Sequence, residues 1–152
     1  MTPEESLAKL GLALPAAPKP VAAYVPSVRT GNLVFVAGQL PFVDGKLPKT
    51  GKLGAGVTLE EGQQLARTAA LNALAIVKAE VGDLSKVKRV VRVGAFVASA
   101  DSFTDQPKVA NGASELLQQV FGDKGKHARA AVGVNVLPLD APVEVELVVE
   151  VG

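Results

Sequence analysis

Arg129 is the residue in this sequence whose setting most suggests a binding role. It lies in His127-Ala128-Arg129-Ala130-Ala131-Val132-Gly133-Val134-Asn135-Val136-Leu137-Pro138. That stretch alternates with period two and reads as a half-buried strand. Ala130, Val132, Val134 and Val136 share one face, and Arg129 shares the other with Ala131, Gly133 and Asn135. A long guanidinium above small residues leaves room beside it for a ligand. The commoner role of a strand arginine is an exposed ion pair with a carboxylate. Both readings stay open on these residues alone. His127 lies two positions earlier and reads as a strand-start residue rather than a catalytic acid.

Composition removes several other chemistries. The chain has no cysteine, which excludes disulfides, thiolate nucleophiles and sulfur-ligated metals. A single histidine excludes a multi-histidine metal site within one chain, and no metal is expected. A formal net charge of +1 gives no general attraction to nucleic acid or membrane. The basic start of one strand (Lys86, Lys88, Arg89, Arg92) has no interleaved aromatics and reads as a solvated strand end. Gly51-Lys52 is followed by Leu53, not by the Ser or Thr of a phosphate-binding loop. Apolar runs fall short of a membrane span. Glu4 and Glu5 precede the mildly apolar Leu10–Ala17, where a secretory signal would carry positive charge. A soluble cytoplasmic protein is expected.

The elements that would position Arg129 follow from pattern and punctuation. At 152 residues the chain reads as one domain, with residues 1–20 as an N-terminal extension. Thr2-Pro3-Glu4-Glu5 opens a short helix with a capping box, and Gly11 ends it. Leu12 to Pro20 should run extended over the surface. Ala22 to Arg29 reads as a strand, placed at an edge or a bulge by Pro26. After the turn Thr30-Gly31-Asn32, Leu33 to Gln39 is apolar on both faces and reads as an interior strand. Gly38 near its end is either a turn glycine or a point of close approach. Asp44-Gly45 makes a hairpin turn. Thr58 to Glu61 is a second capping box opening a helix to Val81, capped by Gly82, with Leu65, Ala69, Ala73, Ile76 and Val77 as its stripe.

Val87 to Ala98 is rich in strand formers. A second helix begins near Thr104–Pro107, carries Val109, Ala113, Leu116 and Val120 on its apolar stripe, and ends at Gly122. Asn111 and Glu115 lie off that stripe, one turn apart. Pro142 to Val151 is a final strand in which Val143, Val145, Leu147 and Val149 oppose Glu144, Glu146, Val148 and Glu150. The short link from Leu137 to Ala141 makes the last two strands an expected antiparallel hairpin. The order predicts an α+β fold, a mixed sheet with both long helices on one face. Too many aliphatic positions remain for the other face to stand open to water, so an oligomer is expected.

Three segments together resemble the Rid family (RidA-like, also called YjgF or L-PSP endoribonuclease-like). They are Thr30-Gly31-Asn32-Leu33-Val34-Phe35-Val36-Ala37-Gly38-Gln39-Leu40-Pro41, Asn111 within the second long helix, and Ala128-Arg129-Ala130-Ala131-Val132 with Leu137-Pro138 and Val143-Glu144-Val145-Glu146. The resemblance spans about Val21 to Gly152 and is greatest to longer members with an N-terminal extension. It implies a chorismate-mutase-like fold and a homotrimer with clefts between subunits. In RidA-type members those clefts hydrolyse reactive 2-aminoacrylate-type enamines and imines to 2-oxo acids and ammonia.

Carried over by position, Arg129 binds the substrate carboxylate and Glu144 places the water. Tyr24 lines the cleft, Gly38 offers its backbone N–H, and Asn111 closes the wall. Ala37 stands where many members have serine and Ala131 where many have cysteine, so any hydroxyl or thiol contribution is lost. Hydrolysis of an imine beside a carboxylate needs positioning more than strong catalysis, a bidentate arginine with one general-base glutamate would supply it, and no cofactor is expected. The competing functions are a non-catalytic binding module for small carboxylic acids, and an endoribonuclease. The charge and the single histidine argue against the latter. In the expected hairpin Arg129 falls opposite roughly residue 149, some five residues or roughly 16 Å from Glu144. A shared ligand would then need the two residues from different chains.

Overall fold

The structure, a computed structural model, describes residues 1–18 and 23–152. Its main sheet has five strands: β1 (Ser27–Thr30), β2 (Leu33–Gln39), β5 (Val87–Ala98), β6 (Ala128–Val134) and β7 (Val143–Val151), in the order β1-β2-β7-β5-β6. The neighbours β1–β2, β2–β7 and β5–β7 run antiparallel, and β5–β6 runs parallel, so the sheet is mixed. The strands β3 (Lys52–Leu53) and β4 (Gly56–Val57) form a small separate parallel pair within the Gly-rich loop.

The helices are α1 (Pro3–Lys9), α2 (Leu59–Val81) and α3 (Gln106–Phe121). Both expected capping boxes are present. Thr2 Oγ1 accepts from the Glu5 N–H while the Glu5 carboxylate takes the Thr2 N–H, and Thr58 and Glu61 do the same for α2. The α2 stripe is buried throughout, as are Val109, Ala113, Leu116 and Val120 of α3. Both helices cover the sheet face that carries Val143, Val145, Leu147, Val149 and Val151. No helix among the described residues is long and apolar enough to cross a membrane.

The N-terminal segment docks against the rest of the fold. Leu7 is buried, the Glu4 carboxylate accepts from the Leu84 N–H at 2.8 Å, and Lys78 Nζ lies 3.3 Å from the same oxygen. Leu12, Leu14 and Ala17 pack against the core beyond it.

Two expectations need correction. The first strand begins at Ser27, not Ala22; Ala22 itself lies outside the described residues. Pro26 has no N–H to give the ladder and sits just before the strand, where its carbonyl accepts from the Ala37 N–H at 2.8 Å. The second concerns β6 and β7, which do not form a hairpin. β6 ends at Val134, and β5 stands between the two strands. The link includes a tight turn at Pro138–Asp140 in which Leu139 and Asp140 take positive φ, and it carries the chain past the end of β5. A short connection is compatible with either arrangement. Burial favours the observed one: β5 is buried at Val93, Gly94, Ala95, Val97 and Ala98, so the backbone N–H and C=O groups on both its edges need ladder partners.

The opposite sheet face carries Val28, Phe35, Val148 and Arg92 in cross-strand register. Phe35 is 44 % exposed, Val28 55 % and, on β6, Val132 46 %. Large apolar side chains therefore stand in register on one open face of the sheet.

The two long helices touch through glycine. A Cβ on Gly112 of α3 would run into the backbone carbonyl of Gln63 on α2. Backbone cannot swing aside as a side chain can. Gly112→Ala should therefore destabilise the fold by about 3 kcal/mol or more, at or above the upper end of ordinary overpacking costs. Urea unfolding would measure it; a loss under about 1 kcal/mol would mean that the helices separate freely.

Candidate functional site

Register alone sends Arg129 to the helix side of the sheet. In the parallel β5–β6 pair it lies opposite Val93, and Val93 in turn lies opposite Leu147 on β7. Val93 and Leu147 are both buried on the helix-covered face. Because β6 is the edge strand, the guanidinium passes along the margin of α3. Nη1 donates to Asn111 Oδ1 at 2.9 Å and to Ser114 Oγ at 3.1 Å. Ser114, only 8 % exposed, is also 2.8 Å from His127 Nε2, and His127 Nδ1 is 2.6 Å from the Gly125 carbonyl oxygen. Among the described residues no carboxylate pairs with Arg129. The ion-pair reading of this arginine therefore has no partner here. The guanidinium remains exposed and charged, held by two neutral oxygens.

Glu144 stands on the other face. It alternates with the buried residues of β7 and lies opposite Phe96. Its carboxylate lies over Gly38, where any Cβ would overlap it, and its neighbour Glu146 lies over Gly94 in the same way. Each glycine thus opens a space in the sheet surface into which a carboxylate folds. Glu146 pairs with Arg92 at 3.1 Å, whereas among the described residues no cation is paired with Glu144. Burial first, and then the nearby Glu146 charge, push the Glu144 carboxyl above the ordinary glutamate range. A carboxylate made more basic in this way is suited to taking a proton from water.

The chain therefore holds two separate groups. Arg129, Asn111, Ser114 and His127 meet at the α3–β6 margin, with Ala131 two residues along on the same face as Arg129. Gly38 and Glu144 meet on the open face, where β2 shifts register against β7 between Val36 and Gln39. Ala37 lies within that irregularity, its carbonyl accepting from Gln39 Nε2 at 3.0 Å. Tyr24 is 62 % exposed ahead of β1, and no hydrogen bond among the described residues joins it to either group.

Arg129 and Glu144 are offset by three residues along the strands, roughly 10 Å, and by two strand spacings, again roughly 10 Å. The hairpin count gave a larger offset along one strand pair, and the intervening β5 replaces it. Their placement on opposite faces separates them further. Ser114 was not singled out from the sequence, although it lies three residues from Asn111 and so on the same helix face. His127 precedes β6 rather than starting it, and both its ring nitrogens are engaged. Among the described residues no cluster of three or more His, Asp or Glu is placed to hold a metal ion.

A mixed sheet with both long helices on one face is an architecture shared with solved structures. The family model described as "YjgF/chorismate_mutase-like, putative endoribonuclease" matches residues 4–151. The chain belongs to this YjgF family, as the segments around Gly38 and Arg129 led us to expect. It is 50% identical over 148 residues to protein TCP17 of Trypanosoma cruzi, covering 97% of this chain and 92% of that one. A 2-iminobutanoate/2-iminopropanoate deaminase of Dermatophagoides farinae is 33% identical over 138 residues, covering 91% and 93%. The crystal structure of protein Atu1372 from Agrobacterium tumefaciens, described as of unknown function, superposes with a TM-score of 0.93 at 46% identity. That match covers 99% of this chain and 92% of the other.

The raised Glu144 pKa makes stability depend on pH with a definite sign. A carboxyl that holds its proton more tightly when folded contributes fully below the ordinary glutamate pKa, and that contribution is lost as pH rises through its own. Glu144→Gln removes the dependence. The variant should melt above wild type at about pH 8, with the difference closing toward about pH 4. Thermal melts at both values check it. A difference that is constant with pH would mean that Glu144 is not desolvated.

Proposed function

We propose that the chain hydrolyses small enamines and imines of 2-amino acids, of the 2-aminoacrylate type, to 2-oxo acids and ammonia, in clefts between the subunits of a homotrimer. The observation that carries this reading is the Arg129 guanidinium: exposed, charged, and held by Asn111 and Ser114 without a carboxylate. Such a group is prepared for an anionic ligand, and a planar carboxylate fits its paired N–H donors. The family membership and the deaminase relative support it.

In the proposed reaction an enamine first takes a proton on its β-carbon and becomes the imine. Arg129 holds the carboxylate. Glu144 accepts a proton from water as the oxygen attacks the imine carbon and the C=N electron pair moves to nitrogen. That nitrogen is protonated, the C–N bond breaks to release ammonia, and the carbonyl forms. The elevated Glu144 pKa suits both taking this proton and returning it. Tyr24 and Asn111 would line the cleft and the Gly38 backbone N–H would face the ligand. No cofactor enters the scheme.

One observation favours a second reading, a carboxylic-acid-binding module with negligible turnover. Ala37 and Ala131 bring only methyl groups to positions beside Gly38 and Arg129. An RNA-cleaving site has less support, because both nitrogens of the lone histidine are taken by Ser114 and Gly125. A coupled assay with a pyridoxal-phosphate enzyme that releases 2-aminoacrylate separates turnover from binding alone. In that assay and in calorimetry with a 2-oxo acid, Arg129→Lys should lose binding nearly as badly as Arg129→Ala, because lysine makes no two-pronged contact. Unchanged affinity in the lysine variant would remove the carboxylate role.

A shared site follows if Arg129 and Glu144 serve one ligand, since one chain holds them on opposite sheet faces. The exposed Val28, Phe35 and Val132 would be covered by the neighbouring subunits. Arg129→Ala and Glu144→Ala trimers should each be inactive. Refolded together in equal amounts, they should recover roughly a quarter of wild-type activity, because about one junction in four keeps both residues. Mixed trimers seen by native mass spectrometry without recovery would place the whole site in one chain.

A further inference from the structure

The hydrogen bonds at Arg129 have a direction that can be worked out from what each group is able to donate. The Gly125 carbonyl only accepts, so His127 Nδ1, 2.6 Å away, carries a proton. Arginine has no acceptor, so Nη1 donates to Ser114 Oγ. The serine proton then points to His127 Nε2 at 2.8 Å, and a bare Nε2 accepts it. This tautomer is assigned by the network, and with it each of the three contacts has one donor and one acceptor. The chain of bonds runs Arg129 to Ser114 to His127 to Gly125. Its far end is anchored in backbone: a Cβ on Gly125 would collide with the Leu117 carbonyl, so that residue lies pressed against the end of α3.

Nη1 has two N–H groups, and Asn111 Oδ1 and Ser114 Oγ take both. Among the described residues no acceptor takes Nε–H or the two Nη2 protons. Those two nitrogens form the side-on edge of the guanidinium, which is the edge that matches a carboxylate with two parallel bonds.

We infer that Ser114 and His127 are positioning residues that fix the Nη1 corner of Arg129 and reserve its Nε–Nη2 edge for the ligand carboxylate. The inference rests on the proposed role of Arg129 and goes beyond it by naming the edge that reads the ligand and the two residues that aim it. The histidine sets the direction of the serine hydroxyl, so that a lone pair of Ser114 faces Arg129. Neither residue touches the ligand. Their effect is to remove alternative rotamers of a long, edge-strand side chain before binding, which lowers the ordering cost of association.

The test compares Ser114→Ala, His127→Phe, the double variant and Arg129→Ala, using 2-oxobutanoate and its carboxamide as probes in calorimetry. Each single relay variant should weaken 2-oxobutanoate about tenfold, the effect of one hydrogen bond to a charged group. Binding of the carboxamide, which offers one acceptor oxygen, should change little. The double variant should be about as weak as either single one, because the residues act as one chain of bonds; independent contributions would instead multiply. In the coupled assay KM should rise while kcat stays within about twofold. Nitrogen NMR of arginine-labelled protein gives a readout free of any ligand: rotation about the Arg129 Cζ–Nη1 bond should be slow in the native protein and fast in both single variants.

Relay variants that bind 2-oxobutanoate at native affinity, with Arg129→Ala impaired, would overturn the relay and leave the carboxylate reading standing. An Arg129→Ala protein that binds normally would overturn the reading beneath it. Should Ser114→Ala not fold, His127→Phe and the NMR rotation rate decide the matter by themselves.

Discussion

β5 is paired on both edges, with β6 parallel on one side and β7 antiparallel on the other. Everything at the candidate site depends on that double pairing. Parallel register puts Arg129 beside Val93 and turns it toward α3. Antiparallel register puts Glu144 beside Phe96 and turns it to the open face. Side chains alternate strictly along a strand, so a slip of one residue in either ladder would exchange these faces. The β5–β7 pairing is protected against such a slip, because it would also turn Val93 and Val97, or Val145 and Leu147, away from the core in which all four are buried.

The same arrangement keeps two opposite charges from neutralising one another within a chain. Arg129 is satisfied by the neutral oxygens of Asn111 and Ser114, while Glu144 sits over Gly38 with its carboxyl rendered more basic by burial and by Glu146. A protein selected only for stability would gain by pairing or removing such groups. Arg92 and Glu146 show the contrast on the same sheet face: they form an ordinary ion pair beside Gly94. Arg129 and Glu144, by contrast, have no ion-pair partner among the described residues.

The scaffold holds these positions through close helix packing. Ala66, Ala69, Ala70 and Ala73 are buried on α2, and Gly112 of α3 lies against the α2 backbone. Small residues bring α3 near enough to the sheet margin for Asn111 and Ser114 to reach an arginine on the edge strand. Docking of α1 through Leu7 and Glu4 ties the N-terminal segment to the segment that leads into β5.

Much of this was legible in the sequence because local rules govern it. Thr58, Glu61 and Gly82 bound α2, Val87 to Ala98 is one strand, and the alternation of β7 separates buried valines from glutamates. The candidate residues Arg129, Asn111, Gly38 and Glu144 could be named by position, since type and spacing carry the family resemblance. Strand order could not be read, because Leu137 to Ala141 is as short as a hairpin link and only the burial demand of β5 inserts that strand between β6 and β7. The roles of Ser114 and His127 were hidden as well. They meet at 2.8 Å through a turn that presses Gly125 against α3, and no local pattern encodes a contact made by that packing. Sequence determined which residues are charged, capped and alternating; tertiary structure decided which face each charge occupies, because face is set by ladder register and register by the core that must be covered.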